Sequence, residues 1–327
     1  MSQKSYIVTG PTASGKSDLA HKLAKRIGGI VINCDSVQVY RGIETLSASP
    51  LADAKDEGWR MRDEGNIPAS SFIPHPPSLI DGVPYRLFSI TDGDKPLSAG
   101  LWAQLARKEY DAAIRSGQSA VFVGGTGFYL KALTEGMSPI PAVPAAARTT
   151  AREYVSKDPD AAYEYLEQVD STWASKINKN DHQRLVRGIE VFQSTGRSLS
   201  EWQSAPRVPI IPDQITKILI SPNRELLRQR IAERMLELTK SVLDEVGNLL
   251  KKNLDPALPI MKADGIAEIS RYLAGEVSLE QAVDLWRIKI CNHNMKHQYT
   301  WFKSNFHPDI VIDHIPTEED LDLVLAK

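Results

Sequence analysis

Cysteine is scarce in this chain: Cys34 and Cys291 lie far apart, and neither sits in a C-x-x-C pair. A disulfide framework is excluded, and a reducing, cytoplasmic setting is expected. No apolar run approaches ~18 residues, so no membrane-spanning helix and no membrane partner are expected. The N-terminus has no apolar stretch of signal type ahead of its first strand-like run, so no leader is expected. Charge of one sign is also missing, with 39 Lys and Arg against 41 Asp and Glu, a net charge of −2. That sum argues weakly against a nucleic-acid partner, but distribution matters more than the total. Acidic residues collect after Asp309, and basic residues collect elsewhere. There is no internal repeat or low-complexity tract. What remains is 327 residues, 42% hydrophobic and 24% charged, enough for a globular core and an appendage.

The most informative stretch is Gly10, Pro11, Thr12, Ala13, Ser14, Gly15, Lys16 and Ser17. It matches G-x-x-x-x-G-K-[ST]. An apolar run, Tyr6 to Thr9, precedes it and an apolar-periodic stretch follows, which reads as strand, glycine turn and helix. Gly10 and Gly15 open backbone conformations closed to other residues. The loop amides and the helix N-terminus then face an anion. Lys16 can reach a terminal phosphate, and the Ser17 hydroxyl suits Mg²⁺. A phosphate-bearing ligand follows; whether that ligand is ATP does not.

Further elements predict an α/β fold, a P-loop NTPase-like parallel sheet flanked by helices. A helix is expected from Lys16 to Arg26, ended by Gly28 and Gly29. Ile30 to Cys34 reads as a buried parallel strand. Asp35 and Ser36 follow at its carboxyl end, where open α/β sheets place their ligands. The competing reading makes Asp35 a turn cap. Residues 53–80, charge-rich and then proline-rich, read as a surface insertion. A strand is expected from Val83 to Ile90, then a helix capped by Ser98. Ala120 to Val123 predicts a core strand, followed by Gly124, Gly125, Thr126 and Gly127. This second glycine turn either approaches a ligand or simply joins strand to helix.

Composition changes from Gly136 to about Pro212. Three prolines precede helical segments with no strand pattern, so residues 136–212 read as an inserted all-helical subdomain. The core is then residues 1–135, completed by 213–327. The insert carries a basic run that includes Arg148, Arg184 and Arg187; Arg184 and Arg187 share a helical face. A solvated face is the competing reading. Thr216 to Ile220 predicts another strand and Glu225 to Leu250 a long amphipathic helix, on which Arg230 and Arg234 share a face, either to reach phosphate or as a salt-bridged surface. Helices near 265–273 and 279–302 and a strand at 309–313 complete the pattern. His293 and His297 have the spacing of a zinc pair, but no third ligand is evident, and they read as a hydrated helix face.

Taken together, these motifs resemble the tRNA dimethylallyltransferases. They stand here as Gly10 to Ser17, Asn33 to Tyr40, Gly124 to Tyr129, Asp181 to Arg187 and Gln298 to Trp301. The resemblance covers nearly the whole chain except 53–80. It implies transfer of a dimethylallyl group from dimethylallyl diphosphate to N6 of adenosine 37 in the anticodon stem-loop of tRNA. Gly10 to Ser17 would hold the diphosphate rather than ATP, with Lys16 and Mg²⁺ offsetting its charge. Asp35 would take the N6 proton, and Thr126 would contact the diphosphate. Asp35, Ser36, Val37 and Gln38, with Gln183, Arg184, Leu185, Val186 and Arg187, match tRNA-contacting segments; Arg148 matches a further functional position. A monomer is expected. The chain departs from the family pattern at Asn292 and His297, where arginines are usual, and at Asp264, where an apolar residue is usual. Competing functions are prenyl transfer to a free adenine nucleotide, a P-loop small-molecule kinase, and an inactive tRNA-binding relative.

Overall fold

A computed structural model describes residues 4–52, 78–211 and 214–327. The chain divides into two compact units: Met1–Thr134 with Ile210–Lys327, and Glu135–Pro209.

The first unit is built on a seven-stranded sheet. Its strands are β1 (Ser5–Thr9), β2 (Ile30–Asn33), β3 (Ser78–Ile80), β4 (Val83–Arg86), β5 (Ala120–Gly124), β6 (Ile215–Ile220) and β7 (Ile310–Ile312). The order is β3-β4-β2-β5-β1-β6-β7. Every pairing is parallel except β3 with β4. β1, β2 and β5 are apolar runs buried along their whole length, as parallel strands covered on both faces must be. Thr9 pairs with Gly124, and Asn33 with Val123. These three strands therefore end level, and the turns that leave them share one rim of the sheet.

Three helices follow these strands. α1 (Lys16–Ile27) starts at Gly15 and ends on the left-handed Gly28. α2 (Ala99–Arg115) is capped by the Ser98 hydroxyl, which accepts from the Leu101 amide. α3 (Gly127–Glu135) leaves the turn after β5. The second unit is wholly helical: α4 (Ala145–Lys157), α5 (Pro159–Val169), α6 (Ser171–Ala174), α7 (His182–Thr195) and α8 (Leu199–Ser204). It has its own core, with Val155, Leu166, Leu185 and Ile189 buried together. The chain then returns to the first unit through α9 (Arg224–Leu250), α10 (Ile266–Leu273), α11 (Leu279–Ile288), α12 (Met295–Asn305) and α13 (Glu318–Ala326). Among the described residues no helix is long and apolar enough to cross a membrane.

Several elements differ from expectation. The strand expected to reach Ile90 stops at Arg86, because Leu87 and Ser89 take positive φ and turn the chain. Residues 78–80, read as part of the insertion, pair with β4 as an antiparallel edge. The rest of that insertion, 53–77, lies outside the described residues. The helix expected across 279–302 is split by a π-helical segment, Lys289–Asn294, a widening that occurs mostly as single turns inside helices. α13 was hidden by its acidic composition. It buries Leu321 and Val324 in the same cluster as Leu19 and Leu23 of α1. Its acids meet α1 at the surface, with Lys22 to Glu318 at 3.0 Å and Arg26 to Asp322 at 3.4 Å. Exposed pairs like these stabilise little, so the apolar face holds the helix.

Gly124 is the tightest point of this architecture. A Cβ there would land on the Cys34 carbonyl oxygen and come within 2.8 Å of the Asp35 nitrogen. Both obstacles are backbone, which cannot rotate away. Gly124→Ala is expected to cost about 3 kcal/mol or more in urea unfolding. Gly100→Ala, in the first turn of α2 with open space around it, is expected to be neutral or stabilising by up to ~1 kcal/mol.

Candidate active site

The loop between β1 and α1 is curled by two left-handed residues, Ala13 at φ 65° and Gly15 at φ 88°. For Ala13 this conformation costs about 1–2 kcal/mol. The Ala13 carbonyl accepts a 3.0 Å hydrogen bond from Arg230 Nε on α9, which helps to hold the curl. Ser14 Oγ is buried without a hydrogen-bond partner. Lys16 Nζ turns back to the Pro11 carbonyl at 3.3 Å. Burial lowers the Lys16 pKa; the Asp35 charge partly restores it, and the Arg234 charge lowers it further. A bound anion would favour the charged form of this buried ammonium. The Thr12 amide donates to Gln298 Oε1 on α12 at 3.3 Å.

The second strand delivers Asp35 to the same rim. Asn33 holds its backbone from both sides: the Asp35 amide donates to Asn33 Oδ1 at 2.8 Å, and Asn33 Nδ2 donates to the Asp35 carbonyl at 3.0 Å. Asp35 Oδ1 accepts from the Val37 amide at 2.9 Å. The capping role weighed from sequence is therefore real, and it also orients the carboxylate. Only one of the two carboxylate oxygens is engaged by that cap. Asp35 is half-buried, and its charge is felt at Lys16, Cys34 and Tyr129.

Thr126 fastens the glycine turn to this segment. Its amide donates to the Cys34 carbonyl at 3.3 Å, and its Oγ1 accepts from the Ser36 amide at 2.9 Å. The Thr126 and Ser36 hydroxyls lie 3.2 Å apart. They share one hydrogen bond between two protons, which leaves one hydroxyl proton for a ligand. Beneath the turn, Trp102 donates to the Asn33 carbonyl at 3.1 Å and stacks on Tyr129 at 3.9 Å. Burial raises the Tyr129 phenol well above its ordinary pKa, so it remains neutral. Gly125, Gly127, Gln298 and Trp301 help to line a cavity of about 430 Å³.

The remaining site residues expected from sequence fall into two groups. Ser36 and Val37 are half-buried beside Asp35. Gln38 is buried, with Nε2 donating to the Ser47 and Ala48 carbonyls. In the second unit, Gln183 and Arg184 are exposed and Arg187 is partly so. Leu185 belongs to that unit's core and Val186 packs against it, so the polar side chains of the segment, Gln183, Arg184 and Arg187, are the ones turned toward the surface. Arg184 pairs with Asp181 at 3.3 Å. Arg148 on α4 and Arg187 on α7 both bind Glu190, at 3.2 and 2.6 Å. Sequence reasoning missed Glu190, and it missed the reach of Gln298 to the loop. It raised Arg230 for its helical face and for reach to a phosphate; here Arg230 meets the Ala13 carbonyl of the loop itself. Among the described residues, no three His, Cys, Asp or Glu side chains gather as a metal cage.

A family model described as IPP transferase matches residues 75–305, and one described as isopentenyl transferase matches residues 3–61. The tRNA dimethylallyltransferase of Nitrobacter hamburgensis is 37% identical over 300 residues, covering 91% of this chain and 86% of the relative. That of a Chelativorans species is 35% identical over 313 residues, covering 95% and 98%. Among solved structures, the full-length tRNA isopentenylpyrophosphate transferase of Bacillus halodurans superposes with a TM-score of 0.63 at 25% identity, over 98% of this chain and 94% of that one. A eukaryotic dimethylallyltransferase acting on tRNA gives a TM-score of 0.71 at 22% identity, over 92% and 70%. This last likeness is one of fold.

The lowered Lys16 pKa gives a signed prediction. A bound diphosphate would raise that pKa, so binding favours the protonated lysine. Affinity for inorganic diphosphate should be full at low pH and fall as pH rises through the lowered pKa of the free protein. Lys16→Arg stays charged throughout, so the ligand's own titration cancels between the two proteins. Calorimetry from about pH 7 to about pH 10 should show wild type losing affinity relative to the arginine variant. Parallel curves would contradict the reading. In the second unit, Glu190→Ala should cost about 2 kcal/mol in urea unfolding. The carboxylate is buried, but its arginines are 42% and 39% exposed and can rehydrate.

Proposed function

The chain belongs to the tRNA dimethylallyltransferase family, and we propose that it transfers a dimethylallyl group from dimethylallyl diphosphate to N6 of adenosine 37 in the anticodon loop of tRNA. The observation that carries this reading is the joining of three turns at one rim. Asp35 is stitched through Ser36 and Cys34 to Thr126, and its charge reaches Lys16 in the phosphate-type loop.

The chemistry suits that arrangement. The adenine amine is a weak nucleophile because its lone pair is delocalised into the ring. Asp35 accepts its proton while the N6–C1 bond forms and the C1–O bond to diphosphate breaks. The electron pair of the broken bond stays on the diphosphate. Lys16 and the loop amides lie where that charge develops, and the spare hydroxyl proton of the Thr126–Ser36 pair can meet the bridging oxygen. Thr12 is to exchange its bond to Gln298 for one to a phosphate oxygen.

Ser17 and the diphosphate oxygens are a hard-oxygen donor set of the kind Mg²⁺ prefers, since that ion is usually held by few protein ligands together with phosphates. When bound, Mg²⁺ supplies further charge neutralisation for the leaving group. Arg148, Gln183, Arg184 and Arg187 are the proposed phosphate contacts to the stem-loop. Both cysteines are buried free thiols, which is compatible with the proposed cytoplasmic location. We take the acting form to be a monomer.

Asp35→Asn should lower transfer by about 10²–10⁴-fold and leave stem-loop binding within about threefold. Mass analysis of the RNA nucleosides, with adenosine monophosphate as the competing acceptor, reads the outcome. Product on the free nucleotide but not on the stem-loop would overturn the acceptor assignment. Equal loss of binding and turnover would remove Asp35 as the base.

A further inference from the structure

Phe128 is 59% exposed, although burying an aromatic ring is among the most favourable contributions a side chain can make. It stands in the first turn of α3, two residues beyond Thr126. The residues after it, Tyr129 and Leu130, are 3% and 1% exposed and face the core. Successive helical side chains diverge by about 100°, so Phe128 is turned away from that core, outward from the turn that carries Thr126. Its base is rigid. A Cβ on Gly127 would strike the Trp301 ring, so the backbone beneath Phe128 is packed against α12. The cavity lined by Gly125, Gly127 and Trp301 begins at the same turn.

A prenyl transfer to RNA offers such a ring two partners. The first is the dimethylallyl group. The allylic carbon must be kept from water as its bond to diphosphate breaks, and a ring this exposed is a poor wall for it. The second is a nucleobase. An acceptor base that leaves its stack exposes one face of the base beside it. Single-stranded RNA is commonly held by aromatic side chains that replace such lost stacking.

We propose that Phe128 stacks on the nucleobase adjacent to the extruded acceptor adenine. The proposal rests on the RNA-acceptor reading and goes further by naming a residue of the glycine turn that holds the RNA. Phe128 takes no part in the proton or diphosphate chemistry. It is a positioning residue whose removal raises the cost of keeping the acceptor out of its stack.

The test uses the full chain and an anticodon stem-loop RNA with a fluorescent aminopurine next to the acceptor. Wild type should quench the probe on binding. Phe128→Ala should abolish the quench and weaken stem-loop binding about tenfold, within the range for loss of one base–aromatic stack. The KM for dimethylallyl diphosphate should not move. Phe128→Trp should restore both signals, and Phe128→Leu should restore neither. Unchanged binding in the alanine variant, or full rescue by leucine, overturns the proposal. A rise in the donor KM with binding intact overturns it too and assigns the ring to the prenyl group. Failure of wild type to prenylate the RNA would sink the functional reading, while the binding and fluorescence arms still decide the role of Phe128.

Discussion

The contact on which this site depends is between two pieces of bare backbone. Gly124, at the end of β5, lies against the Cys34 carbonyl and the Asp35 amide so closely that no side chain could intervene. That approach lets the Thr126 amide reach the Cys34 carbonyl and lets Thr126 Oγ1 accept from Ser36. The Asp35 segment and the glycine turn are consequently tied together by backbone contact and hydrogen bonds. The register of β1, β2 and β5 then brings both level with the loop that starts at Gly10. A carboxylate and a glycine-rich loop, each common alone, become a pair because three parallel strands end at the same height.

α9 and α12 reach that loop from outside the sheet. Arg230 holds the strained Ala13 carbonyl, and Gln298 occupies the Thr12 amide. Both bonds cross long stretches of sequence and neither is strong alone. The Gln298 bond holds an amide that an incoming anion would have to free; the Arg230 bond instead keeps the loop curled before a ligand arrives, the sense in which a binding site is preorganised. Asn33 does the same for Asp35, through two hydrogen bonds to its backbone and a third to the Leu87 carbonyl.

Much of this was legible because the determinants are local. A glycine-rich turn between an apolar strand and an amphipathic helix has few structural solutions, and Asp35 directly follows a buried run. The family resemblance rested on such motifs, and the comparisons uphold it. What escaped depends on long-range packing. Glu190 looks like an ordinary helix-surface acid in sequence, and only the crossing of α4 and α7 turns it into the buried partner of Arg148 and Arg187. Gln298 lies 286 residues from the amide it meets. The acids of α13 masked the two apolar residues that dock it, and the early end of β4 reflects backbone torsions at Leu87 and Ser89 that no composition signal announces. For the 183–187 segment, helical periodicity could have separated the buried Leu185 from its exposed neighbours.

The central claim is that one pocket holds the leaving diphosphate and the proton acceptor together. A crystal structure with an unreactive sulfur-bridged analogue of dimethylallyl diphosphate and an anticodon stem-loop tests it most directly. The account predicts the diphosphate within the Gly10–Ser17 loop, its bridging atom beside Thr126, and the adenine N6 at about 3 Å from an Asp35 carboxylate oxygen. A diphosphate bound away from that loop, or an adenine whose amine lies beyond reach of Asp35 with no water between, would contradict it.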